Sequence, residues 1–385
     1  MIPVTPEAAS INRIVIVDLP GQPVDHEVRD RRASYLLSVP ALIRYAHAAA
    51  DALAMPRALR EADPELPETR RDLPRWVDGC LTRPDLQVQA AAHAIARRLG
   101  RNLGALVAAL HRGDAANRAA RADWTDREWE HWRQVRKVWI GGGIVSGDLG
   151  AAMVPHAREV LAETGCDPGL TIARTPYPQH MTTLGAARYL PAGSTTTPEH
   201  ALIVDFGQTS VKRALVSYRR GAVARLFWLP SQAAAWRWPS PPSDGRAPPP
   251  RPASVASARE VLSFVTEAIC TGLALAEAHL GAPVRPEVVA SIAAYVEGGA
   301  VLGNGIYALM RHLADDVRPL VADSVAAACD RRIRLAIIHD GAAAAAVHAG
   351  EPPAPSAVIV VGTALGVGFP ASEAAGLRPI APDLA

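Results

Sequence analysis

The run Asp205-Phe206-Gly207-Gln208-Thr209-Ser210-Val211-Lys212 sets a carboxylate, a glycine, a hydroxyl and an ammonium around one short turn, directly after the apolar stretch Ala201-Leu202-Ile203-Val204. Such a turn suits an anion. Gly207 lets the backbone approach a phosphate, neighbouring amides and Thr209 can donate hydrogen bonds to its oxygens, and Asp205 can hold a hydrated magnesium ion. Lys212 lies on the returning strand, where a lysine ordinarily points to solvent.

Other turns carry the same kind of material. His339-Asp340-Gly341 follows an apolar strand and opens an alanine run, so Asp340 reads either as a proton acceptor or as a helix cap. Val358 to Val361 breaks into Gly362-Thr363-Ala364-Leu365-Gly366. Val138-Trp139-Ile140 runs into Gly141-Gly142-Gly143, and a later strand leads to a small-residue turn at Gly185-Ala186-Ala187. Asn304 stands between Gly303 and Gly305, which suits a turn residue as well as a ligand for a hydroxyl group.

The elements that must position these turns can be read from periodicity. Arg13 to Asp18, Val138 to Ile140, Leu170 to Ala173, Ala201 to Leu215 as a hairpin, Val223 to Leu229, Val288 to Tyr295, Ile333 to Ile338 and Val358 to Val361 read as strands. Ala33 to Ala54, Leu86 to His111, Trp124 to Trp132, Leu149 to Thr164, Ala258 to Leu280 and Tyr307 to Cys329 carry helical spacing, with Asp85 placed to cap the second and Ser257 with Glu260 forming a capping box for the fifth. Strands alternating with helices predict α/β layering. Ser240 to Pro252 is too rich in proline for a ladder and reads as a solvated loop.

Composition excludes several classes. The 385 residues are 49% apolar, enough for two packed domains, and 40 Lys+Arg against 38 Asp+Glu leave a net charge of +2. That is too little positive charge to bind nucleic acid by its phosphates. Cys80, Cys166, Cys270 and Cys329 are far apart in sequence and form no C-x-x-C pair, so they read as small apolar thiols. The N-terminus lacks a secretory pattern, and no run is read as a membrane span; the expected location is cytoplasmic.

Taken together, the turns at Asp205, Asp340, Gly362 and Gly141 resemble the phosphate-one, catalytic, phosphate-two and adenosine elements of the actin-like ATPase superfamily, most closely the ROK sugar kinases (repressor, open reading frame, kinase). In that family the Gly-Gly-Gly element comes last, whereas here it comes first. A circular permutation explains the inversion. The resemblance implies a two-lobed actin-like ATPase (ribonuclease H-like) α/β fold with a cleft between lobes. It divides the chain into 1–199 as most of the adenosine lobe, 200–355 as the phosphate-one and catalytic lobe with a Pro-rich loop at 239–253, and 356–385 as the strand completing the first lobe.

By the same resemblance the cofactors are ATP and Mg2+. Asp205 would hold the metal, Gly207, Gln208, Thr209, Gly362 and Thr363 the phosphates, and Gly141, Gly142, Gly143 and Gly185 the adenosine. Asp340 would be the general base that lets ATP phosphorylate a hydroxyl of a small-molecule acceptor, a sugar or sugar-like compound, with Asn304 and His339 beside it. A homodimer is compatible with the family; nucleic acid and membrane are not expected partners. The family's Glu-x-Gly-His and Cys-rich zinc loop are missing, His339 replaces an Asn, and Ala364 replaces a Gly. A non-catalytic nucleotide- or sugar-binding sensor is therefore the alternative.

Overall fold

The computed structural model describes residues 10–21, 23–191, 199–234, 236, 255–303, 305–353, 355–382 and 384. In chain order the main helices are α1 (Val39–Ala48), α2 (Pro67–Cys80), α3 (Leu86–Arg112), α4 (Asp126–Gln134), α5 (Asp148–Glu163), α6 (Met181–Ala187), α7 (Val255–Leu280), α8 (Val317–Cys329) and α9 (Asp340–Ala346). The strands are β1 (Lys137–Gly141), β2 (Thr171–Arg174), β3 (Glu199–Phe206), β4 (Ser210–Arg219), β5 (Ala222–Ala233), β6 (Glu287–Ile292), β7 (Tyr295–Glu297), β8 (Ala300–Leu302), β9 (Arg334–His339), β10 (Ser356–Val361) and β11 (Leu365–Gly368). A short pair, Val15–Ile16 with Arg31–Arg32, precedes them. The α/β layering expected from the sequence is present.

Two compact units divide the chain. Of the described residues, those between 10 and 179, residue 236 and those between 351 and 369 fall in the first; those between 180 and 234, between 255 and 350 and between 370 and 384 fall in the second. These bounds differ from the 1–199, 200–355 and 356–385 division: Trp236, residues 351–353 and residue 355 fall in the first unit. Helix α6 belongs with the hairpin unit, and residues after 369 leave the first unit. The tail is fixed there by backbone bonds, with Val223 N donating to Pro379 O and Ala381 N donating to Val223 O, and by Arg378, whose Nε donates to Leu190 O at 2.9 Å. The Pro-rich stretch read as a loop lies outside the described residues.

In the first unit the sheet runs β11-β10-β1-β2, with β10, β1 and β2 parallel and β11 antiparallel at one edge. A strand from the end of the chain thus pairs with one from its middle, Val358 opposite Trp139. Asp85 caps α3 by accepting from the amides of Gln87 and Val88, and Gly113, at φ 55, ends it in the left-handed conformation. On α3, Gly100 and Gly104 face α5 so closely that a Cβ would meet Met153 O at 2.3 Å and Ala157 O at 2.5 Å. The two backbones therefore pack without side chains between them. Thr125 and Glu128 form a capping box on α4, whose Trp129 and Trp132 are buried in the core.

The second unit has a five-stranded sheet, β9-β6-β3-β4-β5. Strands β9, β6 and β3 are parallel, while β3, β4 and β5 form an antiparallel meander. Its parallel strands are apolar throughout their middles, as burial on both faces requires: Ala201 to Phe206 and Val288 to Ile292 are buried. Arg213 ties the meander to α7, with Nε donating to Ala268 O at 2.9 Å and Nη1 to Pro230 O at 3.0 Å.

Several expected elements came out differently. Tyr307 to Cys329 is not one helix but a 3-10 turn, Ile306–His312, followed by α8. Pro319 explains the break, because its ring fits only the first turn of a helix, and Asp316 caps the new start by accepting from Arg318 N. Gly185 to Ala187 is not a turn but the end of α6. Helix α7 begins at Val255, so Ser257 lies within its first turn and not at its cap. It is also long and apolar enough to cross a membrane by length and composition alone, where the sequence reading found no such run, and half of its most apolar stretch is buried against the protein.

Candidate functional site

At the carboxyl end of β3 the chain turns through Gly207, Gln208 and Thr209 into β4. Gly207 N donates to Asp205 O and Ser210 O, Tyr307 Oη donates to Gly207 O at 2.9 Å, and Ala234 N donates to Thr209 O at 3.0 Å. The turn is thereby held from both sides, and its three residues remain half-exposed. Burial, reinforced by the charge of Asp205, pushes the Tyr307 phenol upward, so it stays a donor.

Asp205 is only 5% exposed. Its Oδ2 accepts from Thr182 Oγ1 at 2.7 Å, its Oδ1 accepts from Ser291 Oγ at 2.6 Å, and Lys212 Nζ stands 3.7 Å from Oδ2. Sheet register accounts for this grouping. Asp205 is paired with Lys212 across the hairpin and with Ser291 across the parallel neighbour, so the three side chains share one face. Lys212 does not point outward, as the sequence suggested; the cross-strand pairing turns it to the carboxylate. Helix α6 crosses that face and brings Thr182. At its start His180 stacks on Trp228 with ring centres 3.9 Å apart, and burial, with Lys212 nearby, depresses the His180 pKa.

Two strands away, β9 ends in His339 and α9 starts with Asp340. Pairing of Phe206 with Ile292 and of Ile292 with His339 sets Phe206 and His339 about 10 Å apart by strand spacing and brings Asp205 and Asp340 out at the same carboxyl edge. His339, not Asp340, takes the N-cap position, and Asp340 occupies the first helical turn, where negative charge is favoured. His339 Nε2 stands 3.0 Å from Asp340 Oδ1, Gly341 N donates to the same oxygen at 2.7 Å, and the His339 ring stacks on Tyr295 at 4.5 Å. Among the described residues both contacts fall on Oδ1, which leaves Oδ2 for a further donor. Asn304 lies outside the described residues.

The first unit gathers its own set at the carboxyl edge of its sheet. Gly141 pairs with Val360, so Gly142 lies against Val361 just before Gly362. At Gly142, φ is 103 and a Cβ would meet Val361 O at 2.5 Å, so only glycine fits. Its amide donates to Pro178 O at 2.8 Å. Gly143 is exposed with open space beside it, and Thr363 is half-exposed beyond Gly362, whose carbonyl accepts from Val39 N at 2.8 Å.

Gly185 does not join this set. It sits on α6 in the second unit, where a Cβ would meet Ala343 O of α9 at 1.6 Å, so its smallness serves helix packing and opens no room for a ligand. Thr182, Ser291, Tyr295 and Tyr307 escaped the sequence reading. The one usable signal was Ser291, a lone hydroxyl near the end of the buried run Val288 to Ile292.

As a metal site the cluster is thin. Among the described residues no three His, Cys, Asp or Glu side chains converge. Both Asp205 oxygens already take a hydroxyl and an ammonium is close by, so the carboxylate's remaining lone pairs suit the waters of a magnesium ion held mainly by phosphates and do not suit direct coordination. A cavity of about 450 Å³, lined by Glu199, His200, Arg285, Glu287 and Arg334, opens at the opposite, amino edge of the same sheet. Its charges pair with one another and offer no catalytic arrangement.

No family model matches the chain, and no curated protein matches it significantly. Among solved structures, a crystal structure described as an exopolyphosphatase-like protein aligns over 64% of this chain and 86% of its own, at 13% identity and a TM-score of 0.25. At that level the alignment assigns neither fold nor activity.

Proposed function

We propose that this chain is a circularly permuted actin-like ATPase that uses ATP to phosphorylate a hydroxyl of a sugar or sugar-like molecule, with Asp340 as general base. Strand order supports the fold. Counted along the chain from the hairpin, the second unit's sheet reads 5-4-1-2-3 with the first three strands antiparallel, which is the ribonuclease H-like arrangement. The first unit's sheet fits the same scheme, short of its third strand, when β10 and β11 are counted before β1 and β2.

The observation that carries the reading is the emergence of Asp205 and Asp340 at one carboxyl edge of a parallel sheet, where open α/β sheets bind their ligands. Phosphoryl transfer asks a protein chiefly for alignment, charge neutralisation and one proton acceptor. Gly207, Gln208 and Thr209 would supply donors to phosphate oxygens, Lys212 a positive charge, and Asp340 Oδ2 the acceptor for the attacking hydroxyl's proton. Magnesium, when bound through water to Asp205, would neutralise phosphate charge.

The test is ADP release from MgATP in the presence of hexoses, amino sugars and polyols. Acceptor-dependent turnover is expected, falling at least 100-fold in Asp340→Asn, as loss of a general base implies. If no acceptor raises ADP release above a background that Asp340→Asn shares, the kinase reading fails. The alternative, a non-catalytic sensor, draws on the engagement of Asp205 by Thr182, Ser291 and Lys212, which suits a structural carboxylate. It predicts thermal stabilisation by ATP without hydrolysis.

A further inference from the structure

Cys270 and Cys329, 59 residues apart in sequence, meet where α7 packs on α8. Their sulfurs are 2.8 Å apart, with Cys270 donating to Cys329 Sγ and Cys329 donating in turn to Val325 O at 3.3 Å. This is inside ordinary contact between non-bonded sulfurs, yet longer than the ~2.05 Å of a covalent bond. Both thiols are free and half-buried, within reach of a small solute, whereas Cys80 and Cys166 are buried. Two turns further along α7, Glu277 pairs with Arg331, just past the end of α8, so the same face of α7 grips this corner twice.

We infer that Cys270 and Cys329 form a reversible redox site, closed to a disulfide by hydroperoxide and reopened by a dithiol. Cys270 donates to the Cys329 sulfur, which favours a thiolate at Cys329, and burial with that contact pushes the Cys270 thiol up; the first attack is therefore assigned to Cys329, with Cys270 as the resolving sulfur. The Cys329 thiolate attacks one oxygen of hydrogen peroxide, the O–O bond breaks, and the departing hydroxide takes a proton to leave as water. The resulting sulfenic acid is then attacked by the Cys270 sulfur; the S–S bond forms, the S–O bond breaks, and hydroxide leaves with the Cys270 proton as a second water. Two thiols and one peroxide give one disulfide and two waters. A dithiol returns the two electrons.

The bridge would close a loop that holds β6, β7 and β8, and thus Ser291 and Tyr295, immediately before β9 leads to Asp340. Oxidation would therefore restrain the segment that supplies the site's floor, while the bridge itself depends on no assumption about catalysis.

The test uses the full chain treated with a small excess of hydrogen peroxide. Of its four thiols, two are expected to disappear on titration after unfolding, and proteolytic mapping should recover one linked peptide pair joining Cys270 to Cys329 that dithiothreitol separates. Tm should rise on oxidation and return on reduction, with no rise in Cys270→Ser or Cys329→Ser. Four intact thiols, or sulfinic and sulfonic forms on single cysteines without the linked pair, would overturn the inference; because mapping is done on the unaltered chain, a variant that fails to fold does not blunt it.

Discussion

Asp205 shows how far a motif can be read without its surroundings. The Asp-x-Gly-x-Thr spacing marked the residue, and the register of β3 explains why it sits at a strand end, but its partners come from α6 and β6, elements that no local pattern connects to it. Ser291 and Thr182 donate to a carboxylate that is almost wholly buried, and each such bond to a charged group contributes about 1.5–3 kcal/mol. Removing the acceptor is worse, since it leaves two buried hydroxyls unsatisfied and Lys212 facing an empty place. Asp205→Ala is thus expected to lower the unfolding free energy by about 3–5 kcal/mol, and Ser291→Ala by about 1.5–3 kcal/mol, in urea titrations monitored by tryptophan fluorescence. Equal stability of Asp205→Ala and the unaltered protein would remove the cluster's structural role. Asp340 differs: among the described residues it contacts only its own helix start and His339, so Asp340→Asn should leave the urea midpoint nearly unchanged and act on turnover alone.

Elements were legible where their own residues decide them. The hairpin of β3 and β4, the capped α3 and the last parallel strand, β10, all followed from apolar runs and caps; β11, folded back on β10, did not. The sequence could not show which small residues serve a ligand and which serve packing, because both uses ask for a missing side chain. Gly142 and Gly185 separate the two cases by their neighbours. At Gly142 the constraint is a positive φ and the backbone of β10; at Gly185 it is the carbonyl of Ala343 on a crossing helix. Gly185→Ala must push α6 from α9, and overpacking of this kind costs about 1–3 kcal/mol. It should also displace Thr182, three residues earlier on the same helix face, from Asp205. The expected result is a lowered Tm together with weakened protection of the α6 amides in hydrogen exchange. Unchanged protection would mean that α6 is not fixed by this crossing.

At the scale of the whole molecule, composition gave room for two units but could not place their borders, since α6 and the final segment join the second unit by contacts distant in sequence. The long-range pairing inside the first unit is a finding of the structure: β10, from the end of the chain, lies beside β1, from its middle. What no turn motif announced is the opposite, amino edge of the second sheet, where β3, β6 and β9 begin with Glu199, Glu287 and Arg334. There Arg285 Nε donates to Glu287 at 3.0 Å, and Arg285 and Arg334 pair with Glu199 and Glu287 respectively. Hydrogen bonding from Arg285 is the largest influence on the buried Glu287 carboxyl and holds it down to about 2, against an ordinary 4.5. A carboxylate depressed in the folded state stabilises fully above the unfolded value, and that contribution fades as pH falls from 4.5 through 2. Its ceiling is about 3 kcal/mol. Urea unfolding of the full chain should therefore weaken across that interval, whereas Glu287→Gln, already less stable at pH 7, should weaken less; parallel curves for the two proteins between pH 4.5 and 2.5 would show that this edge does not govern acid stability.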